Sequence, residues 1–253
     1  MFFSLSASLT AQVRVSKLVI KPKEVYELGQ SDILVADTLI MMDSSRIVLN
    51  KLKRENYIRV SVAIIGNHTI IDGSGVRGNA GQNGKAGASP SGPCQNGLVG
   101  RNGMRGLDGG SGINLFLYID KITPTGRLII DLSGGSGGNG GDGGEGGGGS
   151  TGTVHCFGGN GGNGGNGANG GNGGEGGTLT LGGADLAITK TMIGSFILLY
   201  NKGGDFGYAG ISGPGGLAGL GPAKRNGKNG SRGLDGTNGK SGANGTIKFE
   251  ENN

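Results

Sequence analysis

The sequence predicts a protein built mainly from β-strands and polyproline II helices. An N-terminal β-sheet or β-helix-like base is expected to carry a bundle of six antiparallel glycine-rich helices, with little or no α-helix. The chain of 253 residues contains 62 Gly but only 7 Phe and no Trp, so burial of large side chains cannot account for the whole fold. The glycines recur with a period of three, which is typical of collagen-like or polyproline II geometry, whereas aperiodic glycine and serine would indicate disorder.

The first 12 residues, "MFFSLSASLTAQ", are interpreted as an incomplete secretory signal peptide. The stretch is apolar and has the small residues Ala7 and Ala11 near the expected cleavage zone, although it lacks a basic n-region. The alternative interpretation is a first apolar strand. Export would place the two cysteines in an oxidising compartment, where a disulfide is stable.

Residues 13–72 are predicted to form a β-rich domain. Short stretches such as "KLVI", "TLIMM" and "YIRVSVAII" alternate with turn residues at the spacing of a small sheet or of β-helix rungs. The phrase "IIGNHTIIDGSG" at 64–75 resembles the rungs of right-handed parallel β-helix proteins.

Glycine then occupies every third position in six runs that are grouped in pairs. Short loops at 88–96, 150–157 and 220–226 separate the two runs of each pair. Between the pairs, 113–133 and 178–201 are predicted to be β-hairpins interleaved with a bundle that covers 73–245, and 246–253 a closing strand and tail. The six runs are 75–87, 97–112, 134–149, 158–176, 204–219 and 227–245.

The physical basis of a bundle is the bare edge that a three-residue glycine period creates. A polyproline II helix has three residues per turn and no internal hydrogen bonds, so its backbone groups need lateral partners when they are buried. Runs three and four have glycine at two positions of three and are predicted to form the central pair. The predicted central packing glycines are Gly137, Gly140, Gly143, Gly161, Gly164 and Gly167.

The three loops are expected to meet at the tip of the bundle, since each pair of runs begins and ends near the strands. Cys94 lies in the first loop and Cys156 in the second, so the sequence predicts a disulfide between them; two free thiols are the alternative. The residues predicted to bind a ligand from these tip loops are Gln95, His155, Phe157, Lys224 and Arg225.

No catalytic, cofactor or metal site is predicted. His155 and the two cysteines lack the fourth ligand and the spacing of a zinc site. "GNGGNGGNG" contains G-x-G-x-x-G without the strand-to-helix context of a phosphate loop. The charged residues, with a net charge of +5, are scattered, so no nucleic-acid partner is expected. No apolar run approaches the roughly 20 residues of a membrane span.

The six triplet runs and their loops resemble the polyglycine II helix bundle proteins, among them the snow flea antifreeze protein and the receptor-binding adhesins of T-even-type phage tail fibres. The likeness covers roughly 73–245. It implies either ice binding through a flat face of small residues or receptor binding through the loops. The outer positions of the runs carry large and charged side chains such as Arg101, Arg105 and Lys240, which favours the loops.

The expected function is therefore that of a secreted, non-enzymatic structural or adhesive protein at the cell surface or outside the cell. It would serve either as a subunit of an extracellular filament or as an adhesin that presents the tip loops. Its partners would be further copies of itself or a surface receptor or glycan. An ice-binding protein is the alternative.

Overall fold

The chain forms two parallel β-sheets in the computed structural model, which describes residues 12–251. A single α-helix, α1 (Leu186–Met192), and one turn of 3₁₀-helix (Pro222–Lys224) accompany the strands in this range. The strands are β1 (Val13–Ile20), β2 (Val25–Glu27), β3 (Ile33–Met41), β4 (Arg46–Val48), β5 (Glu55–Ile65), β6 (Thr69–Asp72), β7 (Asn114–Pro124), β8 (Leu128–Asp131), β9 (Leu179–Gly182), β10 (Ile197–Tyr200) and β11 (Ile247–Phe249). The predicted signal peptide falls, except for residue 12, outside the described residues.

The strands alternate between the two sheets along the chain. The odd-numbered strands form a six-stranded sheet in the order β1-β3-β5-β7-β9-β11, and the even-numbered strands form a five-stranded sheet in the order β10-β8-β6-β4-β2. Every pairing is parallel. Each turn of the chain therefore adds one strand to each sheet.

One apolar core lies between the two sheets. In β5 the buried side chains alternate with outward ones in two stretches: Ile58 and Val60 are buried before an irregularity at 61–62, and Ala63 and Ile65 are buried after it. Ile130, from the other sheet, is fully buried in the same cluster. The apolar side chains of the strands are thus concentrated between the sheets, where burial of Ile, Leu and Val stabilises the fold.

Six glycine segments extend from one corner of the two sheets: three lead away from the sheets and three lead back to them. They follow or precede strands in a fixed way: segments 1, 3 and 5 follow β6, β8 and β10, and segments 2, 4 and 6 lead into β7, β9 and β11. The segments are defined as segment 1 (75–87), segment 2 (97–112), segment 3 (134–149), segment 4 (158–176), segment 5 (204–219) and segment 6 (227–245).

The segments hydrogen-bond to one another at every third residue. Among the outgoing segments the pairing is parallel: Gly78 N donates to Ser136 O, and Gly137 N donates to Asp205 O, each at 2.8 Å. Between outgoing and returning segments it is antiparallel, as in the 2.8 Å bond from Gly171 N to Gly138 O. Segment 3 bonds to segments 1, 2, 4 and 5, and segment 4 bonds to segments 2, 3, 5 and 6.

The predicted fold class, an N-terminal base with a bundle of six antiparallel polyproline II helices, is wrong. The sheets take strands from the whole length of the chain, from β1 to β11, and they are parallel. The ladder of the five-stranded sheet continues into the glycine segments: Leu132 N donates to Tyr200 O at 2.6 Å, and Gly134 N to Lys202 O at 2.8 Å. Parallel strands therefore force the segments that follow them to be parallel as well.

The predicted hairpins at 113–133 and 178–201 are also wrong. β7 pairs with β5 and β9, whereas β8 pairs with β6 and β10, so the two strands of the first supposed hairpin belong to different sheets. The same separation holds for β9 and β10, and α1 lies between them. For the same reason the β-rich region does not end at residue 72.

Asparagine side chains join the returning segments. The Oδ1 atoms of Asn160, Asn163, Asn166, Asn169 and Asn172 accept hydrogen bonds from the backbone N of Lys228, Ser231, Leu234, Thr237 and Lys240 at 2.8 to 2.9 Å. Asn166 N in turn donates to Asn102 Oδ1 at 2.8 Å. These asparagine rows supply acceptors for backbone N–H groups that make no backbone hydrogen bond to a neighbouring segment. They explain why the third residue of these triplets is so often Asn.

Candidate functional site

The three loops between paired segments meet at the end of the bundle farthest from the sheets; they are called the tip here (residues 88–96, 150–157 and 220–226). Cys94 N donates to Thr151 O at 2.8 Å, which joins the first loop to the second. Gly152 N donates to Leu220 O at 2.8 Å, which joins the second loop to the third.

A disulfide between Cys94 and Cys156 closes the tip, so the predicted bond is confirmed. Their Cα atoms are 6.0 Å apart, and the bond spans 62 residues of sequence. Cys94 has a φ of 62°, a left-handed conformation that non-glycine residues seldom adopt. Thr153 Oγ1 lies 3.3 Å from the Cys156 sulfur and accepts a hydrogen bond from His155 N at 3.2 Å. The second loop is thus held by both covalent and polar contacts.

Phe157 and Arg225 form the most distinctive surface feature of the tip. The Phe157 side chain is 62% exposed, and the Arg225 guanidinium carbon lies 5.5 Å from the centre of its ring, within the range of a cation–π interaction. Arg225 Nη1 also donates to Val154 O at 3.2 Å. These two contacts hold the arginine over the aromatic ring, where both remain accessible to a ligand.

An open groove of about 430 Å³ runs beside this pair. Its walls include the disulfide, Phe157 and several polar side chains: Asn96, Asn160, Asn226 and Lys228. The Oδ1 atoms of the three asparagines accept backbone hydrogen bonds at 2.8 to 2.9 Å. Their Nδ2 groups are therefore the donors that remain for a ligand.

The structure brings four of the residues singled out by sequence into direct contact: Cys94 with Cys156, and Phe157 with Arg225. Gln95, His155 and Lys224 are exposed at the same end of the molecule. Sequence reasoning missed the groove asparagines. The signal that could have revealed them is the Asn at a fixed triplet position on both sides of the loops, in "CQNG", "GGNGG" and "KRNG".

Within residues 12–251, no group of three or more His, Cys, Asp and Glu side chains is placed to hold a metal ion. Over the same range, the structure contains no helix of the length and apolarity that crossing a lipid bilayer requires.

The chain was compared with protein-family models, curated proteins and solved structures. No family model, curated protein or solved structure matches it.

Proposed function

We propose that this chain is an extracellular, non-enzymatic adhesive protein that contacts a surface receptor or glycan through its tip. The observation that carries the proposal is the exposed Phe157 side chain under Arg225, in a loop fixed by the disulfide. Aromatic and arginine side chains dominate the energetics of recognition surfaces. A tip whose loops are already ordered loses little conformational entropy when it binds.

Two further features support this function. A disulfide is stable in the oxidising environment outside the cell, which fits a secreted or surface-exposed protein. The groove offers amide donors from Asn96, Asn160 and Asn226 beside an apolar ring, and this combination suits a sugar, which has hydroxyl groups at its edge and an apolar face.

Binding of the purified protein to cell surfaces and to arrayed glycans tests the proposal. Phe157→Ala and Arg225→Ala should each weaken binding about tenfold or more, since loss of a central aromatic or arginine contact typically costs 2 kcal/mol or so. Phe196→Ala is the matched control, because Phe196 is a partly exposed phenylalanine that precedes β10, at the sheet end of the molecule.

The disulfide provides a second test. Replacing both Cys94 and Cys156 by Ser should weaken binding further by loosening the first two loops, while the far-ultraviolet circular dichroism of the sheets stays unchanged. Equal binding by the wild type, Phe157→Ala and Arg225→Ala on every surface that the wild type recognises would show that the tip is not the contact.

A further inference from the structure

Two rows of exposed residues with apolar members run along the glycine segments and are not explained by the tip. The edge row lies on segment 2 and consists of Leu98, Arg101, Met104 and Leu107; its three apolar members are 59% to 61% exposed. The segment-5 row consists of Tyr208, Ile211, Pro214 and Leu217. Its members Tyr208, Ile211 and Leu217 are 59% to 74% exposed. Aligned apolar side chains of this size on a surface are typical of an interaction site.

Beside each row lie two charged side chains of one sign. Lys85 lies beside Arg101, because Arg101 N donates to Lys85 O at 2.8 Å. Asp142 lies beside the segment-5 row, because its Oδ1 accepts from Ile211 N at 2.8 Å, and Glu145 occupies the next triplet of segment 3. Within residues 12–251, the ion pairs of the structure include none of these four side chains. One row is therefore basic and the other acidic.

The two charged pairs lie at the same level along the bundle. Gly144, which stands between Asp142 and Glu145 in the sequence, donates its N–H to Arg101 O at 2.8 Å. A second copy that lies alongside the first, points the same way and is not shifted along the bundle axis brings its basic pair level with the acidic pair of its neighbour. Opposite charges that meet in this way favour one register over others.

The apolar side chains are level as well. Gly141 N donates to Met104 O and Gly143 N to Ile211 O, so Met104 and Ile211 lie within one triplet of each other along the axis. Gly147 N donates to Leu98 O and Gly149 N to Leu217 O, which places these two leucines at a common level too. The same alignment thus pairs charge with charge and apolar side chain with apolar side chain.

We propose that copies of this chain associate side by side and in parallel, with the edge row of one copy against the segment-5 row of the next. The partner is a second copy, because only a surface with the same three-residue repeat matches both rows along their length and supplies the complementary charges. The two surfaces differ, so each copy of an associated pair still has one of them free to bind a further copy. The assembly therefore grows unless it closes into a ring. The proposal does not depend on the tip. Parallel association would, however, place the tips of neighbouring copies at the same end of the assembly.

Sedimentation velocity of the whole chain over a range of concentrations tests the association. The wild type should form species larger than the 25.1 kDa chain. Lys85→Glu and Glu145→Lys should each lower the apparent association constant about tenfold or more, since each places like charges together. The double variant Lys85→Glu with Glu145→Lys restores opposite charges and should recover association. Lys240→Glu, the same change at an exposed triplet position of segment 6, is the matched control and should associate as the wild type does.

The orientation has its own measurement. Mixed ¹⁵N-labelled and unlabelled copies, treated with a carbodiimide, should give cross-links of Lys85 to Asp142 or Glu145 that contain one peptide of each isotope. Three outcomes overturn the proposal: a wild type that stays monomeric at its highest soluble concentration, association that Lys85→Glu leaves unchanged, or intermolecular cross-links that join the sheets and not the segments.

Discussion

Glycine is required at some positions of segment 3 and replaceable at others. A Cβ atom added at Gly143 would overlap the carbonyl oxygen of Gly165 in segment 4, and one at Gly144 would overlap the carbonyl oxygen of Lys85 in segment 1. At Gly148, in contrast, the nearest atom is Ser89 Oγ at 3.4 Å, an ordinary contact. The difference arises because Gly148 stands at the outward position of its triplet.

Gly143→Ala and Gly148→Ala should therefore change stability in opposite directions. Gly143→Ala forces two backbones apart and should lower the free energy of unfolding by about 3 kcal/mol. Gly148→Ala should raise it by about 0.5 kcal/mol, because the unfolded chain loses conformational freedom and the folded chain loses nothing. Denaturant titration followed by circular dichroism measures both, and equal effects would contradict the close approach at Gly143.

Tyr118 connects the last residues of the described chain to the six-stranded sheet. Its hydroxyl donates to Glu250 Oε2 at 2.6 Å. This bond, together with partial burial and the charge of Glu250, raises the pKa of Tyr118 from 10.0 to about 12. The folded state therefore favours the neutral phenol, and the stability that this provides is present below pH 10 and is lost as the pH rises towards 12.

Glu250→Gln should bring the titration of Tyr118 back towards that of an ordinary tyrosine, because it removes both the charge and the carboxylate acceptor. The ultraviolet absorbance of tyrosinate during an alkaline titration measures the change: one tyrosine should ionise at a lower pH in Glu250→Gln than in the wild type. Glu251→Gln is the control, since Glu251 pairs with Lys190 and not with a tyrosine. A Tyr118 titration that is the same in Glu250→Gln and the wild type would rule out this cause.

At the scale of the element, the asparagine rows determine how neighbouring glycine segments are aligned. Asn166 accepts from Leu234 N and donates its own N–H to Asn102 Oδ1, each at 2.8 Å, so one residue joins segments 2, 4 and 6. Asp108 takes the equivalent place for Asn172, whose N donates to it at 2.7 Å. The role therefore requires a short side chain with an acceptor oxygen and not an amide as such.

Asn166→Ala should lower the free energy of unfolding by about 1 kcal/mol, since it leaves Leu234 N without its protein acceptor. Asn166→Asp keeps the acceptor and should lose less. Hydrogen exchange at the Leu234 amide localises the effect. Exchange there should be faster in Asn166→Ala than in the wild type, and it should be unchanged in Asn166→Asp. If both variants exchange alike at Leu234, the side-chain bond does not protect that amide.

At the scale of the whole molecule, the sequence could predict local repeats but not the partners of the strands. The glycine period, its grouping in pairs and the Cys94–Cys156 bond could all be inferred from sequence, and the structure confirms the disulfide. The hairpin prediction failed because "TPTG" at 123–126 has the composition of a hairpin turn. In the structure Thr125 N donates to Ile65 O at 2.7 Å, so this corner packs on the previous turn of the chain. Such contacts between distant residues leave no local pattern.

The sheets and the glycine segments should unfold as one cooperative unit, because a continuous hydrogen-bond ladder crosses from one to the other. Ile58→Ala, at a fully buried core position, should lower the free energy of unfolding by about 3 kcal/mol. The amides of segments 3 and 4 should lose the same protection against hydrogen exchange as those of the sheets, although Ile58 lies in β5. Leu52→Ala, at a side chain that is 87% exposed, is the control and should change neither. The opposite outcome would be glycine amides that stay protected in Ile58→Ala after the sheets have unfolded. It would show that the segments are stable without the parallel sheets and that the strands do not determine how the segments are arranged.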